Sequence, residues 1–208
     1  MYSSLYATSE TLRHRLEVAM TTDIGPNGLG TFFSGAQRVV ALATPEEMRL
    51  AGQQGLSVWL YRVVRDEFRL NDPPTIRPLP GGGVEIVPPP LPLRLHYLLT
   101  ALASSAPDTE QRILGRALQT MHSRPILSGA DLQAELIGTS AEVHTRLEAL
   151  SLDELSLVWQ ALDGSFQLCV SYEVTLVNID SSADPDPATL VQTVQPRYAV
   201  IVESELVP

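Results

Sequence analysis

The side chains best suited to metal or nucleophile chemistry in this sequence are four histidines, His14, His96, His122 and His144, and one cysteine, Cys169. The histidines fall on separate segments, and no two stand at the spacing by which a helix or hairpin presents a pair of ligands to one ion. A lone cysteine can form neither an internal disulfide nor a thiolate-rich metal site. No serine occupies a G-x-S-x-G turn, so a nucleophile elbow is absent, while a serine, a histidine and an acid assembled only in space remain open. All 14 basic residues are arginine. With no lysine, the chain lacks the P-loop phosphate lysine, Schiff-base chemistry and serine-lysine hydrolysis. The stretch Ile24 to Ala36 carries four glycines but neither a lysine nor an immediate helix start, which reads as a flexible surface loop rather than a phosphate cradle. The expectation is a protein with no catalytic residue, no cofactor and no metal site.

The elements that would position any other kind of site follow from patterning. In 208 residues there is room for one substantial core, or for a domain plus an appendage, and one domain with long loops is the simpler reading. Hydrophobic residues at 44% and charged residues at 18% describe a folded chain, and no apolar run approaches the roughly 20 residues of a membrane span. A formal net charge of −10 argues against nucleic acid as the main partner, because a polyanion needs a basic surface. The N-terminus lacks the basic start and apolar core of an export signal, so synthesis and folding in the cytoplasm are expected.

The central stretch is Leu91 to Met121. Leu93, Leu95, Tyr97, Leu99 and Ala101 alternate and share one strand face. Arg94 and His96 begin the other face, which becomes apolar at Leu98 and Leu102. A helix follows, with Asp108 and Gln111 as its expected capping pair and Ile113, Leu114, Ala117, Leu118 and Met121 at helical spacing. Before this block the pattern predicts an opening helix to about Met20, a strand from Arg38 to Ala43, a helix capped by Thr44 and Glu47, and a strand from Gly55 onward in which Trp59 packs in the core. Asn71 to Pro92 holds eight of the 16 prolines, and reads as a hairpin-like excursion with Gly81, Gly82 and Gly83 at its tip and Val84 to Val87 as an edge segment. After the block come a half-exposed strand from Val143 to Ala149, a helix capped by Ser151 and Glu154 with Leu152, Leu155, Val158, Trp159 and Leu162 as its buried stripe, and a strand from Phe166 to Leu176. Cys169 is expected there as a small, partly buried side chain. An acidic turn-rich linker and a terminal strand through Tyr198, Val200 and Val202 complete the chain.

The runs LPLRLHYLLTALA, LGRALQTMHSRPIL, LEALSLDELSLVWQAL and FQLCVSYEVTLVNID together resemble the tail-terminator, or cap, proteins of extracellular contractile injection systems, a family that long carried a domain-of-unknown-function label. The resemblance covers residues 1 to 180 and is densest from Leu91 to Asp180. It implies an α/β (α+β) fold with a mixed, mainly antiparallel sheet flanked by a few helices. The terminator domain would span residues 1–180, with 181–208 as linker and C-terminal strand belonging to the same domain or pairing with a partner. Some relatives carry a C-terminal extension with no counterpart in these residues, so no role of that extension is expected here.

The resemblance further implies a homo-hexameric ring on the baseplate-distal end of the inner tube, which stops tube growth and anchors the last sheath layer. The partners would be further copies of the chain, the tube protein and the sheath protein, with no nucleic acid and no membrane. Assembly would occur in the bacterial cytoplasm, within a particle that is later released. The interface candidates are Tyr198, Val200, Val202 and Leu206 for edge pairing, Arg94 and His96 on the central strand, and Gly81, Gly82 and Gly83 in the proline loop; Gly25 to Gly35 is a further contact loop. The rival readings are a baseplate or tube adaptor of the same particle, a cryptic hydrolase, and a monomeric peptide-binding module.

Overall fold

The computed structural model describes residues 3–26, 28–80, 83–104 and 106–188. The chain divides into two units, residues 1–72 with 90–181 and residues 73–89 with 182–208.

The larger unit opens with helix α1 (Ser4–Thr21) and a short helix α2 (Gly30–Phe33). Strand β1 (Arg38–Ala41) leads to α3 (Pro45–Leu50), and β2 (Gln54–Arg65) follows. After the excursion into the smaller unit come β5 (Leu91–Leu102), α4 (Pro107–Ser123), β6 (Ile126–Ser128), β7 (Glu142–Glu148), α5 (Leu152–Ala161) and β8 (Cys169–Ile179). Six strands form one sheet in the order β1-β2-β5-β8-β7-β6, antiparallel except for the parallel pair β1 and β2. The central position of β5 explains its apolar run, since a strand flanked and covered on both sides has little surface left for water.

Helices α1 and α4 cover one face of this sheet. Leu12, Leu16 and Met20 of α1 and Ile113, Ala117 and Met121 of α4 meet Leu95, Tyr97 and Leu99 of β5 in a single apolar cluster. Tyr97 is fully buried, and its hydroxyl lies 2.7 Å from Ser9 Oγ on α1, which satisfies the polar atom that burial would otherwise strand. Burial, opposed only by that bond, pushes the phenol well above its ordinary pKa. On the second face α5 lays Trp159 over Leu98 and Cys169, with Trp59 and Tyr61 beside them.

Both capping boxes form as the sequence predicts. The Thr44 hydroxyl accepts the Glu47 N–H and the Glu47 carboxylate accepts the Thr44 N–H; Ser151 and Glu154 repeat the arrangement. In this unit three expectations need correction. Helix α4 begins at Pro107, with Ala106 at the N-cap position and no side-chain cap bond, so Asp108 sits inside the first turn rather than capping it; the helix starts on proline at its first position. Leu152 of α5 is 68% exposed rather than part of the buried stripe. The glycine-rich stretch is a built turn: Asp23 accepts the Gly30 N–H on its carbonyl and the Leu29 N–H on its carboxylate, and Leu29 and Phe33 enter the core. Gly28 lies so close to Asp23 that a Cβ there would stand 2.2 Å from its carbonyl oxygen.

The smaller unit is a three-stranded sheet in the order β3-β4-β9, built from β3 (Thr75–Pro78), β4 (Val84–Val87) and β9 (Asp186–Ala188). The proline segment therefore forms the expected hairpin, closed by the Leu79 N–H on the Gly83 carbonyl at 3.2 Å. Gly83 has φ +97°, a conformation that favours glycine. Strand β4 is the middle strand and not an edge, because residues of the acidic stretch after Asp180 pair on its other side.

Candidate protein interface

The second face of the six-stranded sheet collects the polar side chains. A shift of register between Leu60 and Arg62 makes Tyr61 an extra residue in β2, and Arg62 then pairs opposite His96. Residues paired across strands share a face, so Tyr61 and Arg62 lie together beside His96. The Tyr61 and His96 rings stand 6.1 Å apart.

Two networks run along this face. In the first, His96 Nδ1 lies 2.9 Å from one Glu148 carboxylate oxygen, Ser171 Oγ donates to the other at 2.6 Å, and the Tyr61 hydroxyl lies 3.0 Å from Ser171 Oγ. Burial raises the Tyr61 pKa, opposed by the Ser171 bond. The buried His96 Nε2 has no hydrogen-bond partner among the described residues. In the second, Glu173 on β8, with a side chain only 3% exposed, accepts from Arg94 Nη1 at 3.1 Å and from Arg146 Nε at 3.0 Å and Nη2. Arg94 Nε also lies 3.8 Å from the buried Asp66 carboxylate. Burial works to raise the Glu173 pKa, and the bonds from Arg146 and Arg94 together overcome it, holding the carboxyl below its ordinary value.

The first network brings a serine, an acid and a histidine together in an order that does not make a nucleophile. The Glu148 carboxylate stands between Ser171 and His96, so the imidazole is not placed to take the hydroxyl proton, and Ser171 is 2% exposed. Cys169 is buried, accepts the Trp159 indole N–H at 3.4 Å, and has its pKa raised by burial, against thiolate chemistry. Among the described residues no group of three or more His, Cys, Asp or Glu is arranged to hold a metal ion, and no helix is long and apolar enough to cross a membrane.

Of the sequence-predicted interface residues, the structure brings Arg94 and His96 together on one strand face and engages both inside the chain. Gly83 belongs to the smaller unit. Gly81, Gly82, Tyr198, Val200, Val202 and Leu206 lie outside the described residues. Sequence reasoning missed Glu173, Glu148 and Asp66. The polar alternation of Ser171, Glu173 and Thr175 was the available signal, but it gains meaning only when β8 is known to lie beside β5.

Comparison with known proteins follows the same lines. The model of the Pvc16 N-terminal domain family matches residues 7–193. No curated protein matches. Among solved structures, the chain is similar to the sheath/tube terminator of an extracellular contractile injection system, PVC, in its extended state, with 18% identity and a TM-score of 0.59 over 94% of this chain. It is similar also to the tube-terminating cap of the anti-feeding prophage, with 21% identity and a TM-score of 0.57 over 95% of this chain. The chain spans 65% and 61% of those two proteins, respectively. The mixed sheet with few helices is thus the fold of these terminators, and the chain belongs to the Pvc16 N-terminal domain family.

Proposed function

We propose that this chain is the structural cap of a contractile injection system, seated as a ring, sixfold in the simplest case, on the baseplate-distal end of the inner tube, where it ends tube growth and anchors the last sheath layer. The observation that carries the reading is the family match from residue 7 to 193, nearly the whole chain. Likeness in fold to two terminators supports it. The polar constellation of the second face fits a structural part, since its carboxylates Glu148 and Glu173 are held by His96, Ser171, Arg94 and Arg146.

In this reading the chain works by protein contact and needs no catalytic group. Its partners are further copies of itself, the tube protein and the sheath protein, within a particle that assembles in the bacterial cytoplasm. The interface candidates keep their proposed roles: the segment bearing Tyr198, Val200, Val202 and Leu206 pairs with the edge of a neighbour, and the hairpin bearing Gly81, Gly82 and Gly83 reaches a neighbouring subunit or the tube. Residues 181–208 would then serve as linker and pairing strand.

Assembly of particles without this chain tests the proposal. Tubes of unregulated length, restored to a single length when the chain is supplied, are expected. Particles of normal length without it would overturn the reading, and loss of the opposite end structure would move the chain to the baseplate.

A further inference from the structure

The groove between β2 and α5 carries an arginine beside aromatic rings, and the turn that follows β2 carries a glutamate beside an exposed one. Trp59, Tyr61, Leu157 and Val158 line a groove with a volume of about 370 Å³, together with Arg62 and Glu154. Leu157 is 66% exposed there. Arg62 is exposed and makes no ion pair among the described residues, and the Glu154 carboxylate that shares the groove accepts the Ser151 N–H and hydroxyl in the capping box.

The turn is the 3-10 segment Glu67–Arg69. Its geometry is fixed from below: buried Asp66 donates its N–H to the Pro92 carbonyl at 2.9 Å and accepts the Phe68 N–H on its carboxylate at 3.2 Å. That anchoring leaves Phe68 89% exposed. Glu67 beside it is also exposed and makes no ion pair among the described residues. A phenyl ring held in water on a rigid turn has most of its ordering cost already met and most of its apolar area still to bury.

We propose that this groove receives Phe68 of a second copy of the chain, with Glu67 of that copy on Arg62. The ring enters among Trp59, Tyr61 and Leu157, and the carboxylate next to the ring meets the guanidinium next to Tyr61. Among the three most exposed large apolar side chains, only Phe68 has this chemistry. Leu50 adjoins Arg49, which would repel Arg62, and Ile24 adjoins Asp23, whose carboxylate is spent on the Leu29 N–H. Phe68 stands beyond the end of β2, on the order of 20 Å along the chain from Tyr61, so one copy cannot fill its own groove. The same surface therefore carries a knob and a hole for self-association. As the subunit contact of a cap ring it rests on the reading above.

Charge exchange on the free protein tests it, with circular dichroism to verify the fold of each variant. By native mass spectrometry at micromolar concentration the wild type is expected to associate, and R62E and E67R each to weaken association about tenfold or more, because like charges then meet at the contact. An equimolar mixture of R62E and E67R should associate again, since every contact between unlike copies pairs Glu with Arg. F68A should weaken association at least as much. A wild type that stays monomeric, single variants that associate like wild type, or a mixture that stays apart would each overturn the contact. Tube-end binding by the same proteins separates the two readings: a contact that fails while wild type still caps tubes leaves the cap role standing.

Discussion

On the first face of the six-stranded sheet Tyr97 finds one polar partner, Ser9, amid leucine and methionine from α1 and α4. One residue back along the same strand, on the second face, His96 meets Glu148, and Arg94 meets Glu173 and Asp66. The difference lies in what covers each face. Two helices of 18 and 17 residues shield the first, so removal of apolar area from water dominates its energetics. The 10-residue α5 shields only part of the second. There the strands carry charges that must satisfy one another, and half-buried aromatics remain available for contact. Apolar burial dominates one face, and paired charges dominate the other.

Breaking the first face should have the largest effect. Leu16→Ala removes a fully buried side chain from between α1 and the sheet, and is expected to cost about 2–5 kcal/mol, read by denaturant unfolding. Glu173→Gln should cost less, about 1–3 kcal/mol, because Arg146 is 75% exposed and recovers water while Arg94 is only 25% exposed. The same variant sharpens the comparison through pH. The folded Glu173 titrates below its ordinary 4.5, so its contribution is complete above that value and is lost as pH falls through the folded value. Wild type should therefore lose thermal stability more steeply than E173Q below about pH 4.5, whereas equal slopes would mean that the two arginines contribute nothing net. The smallest effect is expected at the edge of the second face. Ser151→Ala removes the α5 cap and should cost about 1 kcal/mol, with no change in acid sensitivity attributable to Glu173.

The order of these effects reflects what could be read from the sequence. Alternation in Leu93 to Ala101, the spacing of Ile113, Ala117 and Met121, and the boxes at Thr44 and Ser151 are local signals, and the elements they predict are present. What local signals could not supply is adjacency. Arg94 and His96 were recognisable as polar on an otherwise apolar strand, but their partners come from β7, β8 and the turn after β2, 28 to 79 residues away. Pairing of β4 with Asp186–Ala188 was hidden for the same reason. The bulge at Tyr61, which sets Tyr61 and Arg62 side by side, depends on the register between β2 and β5 and leaves no mark in composition. The cap reading comes from the four runs taken together, and the family match over residues 7–193 includes all four.

The most direct test of the cap role is to place labelled protein on purified tubes that retain their baseplates and locate it by electron microscopy. The account predicts label at the baseplate-distal end alone, one ring per tube. Label at the baseplate, or spread along the tube wall, would contradict it.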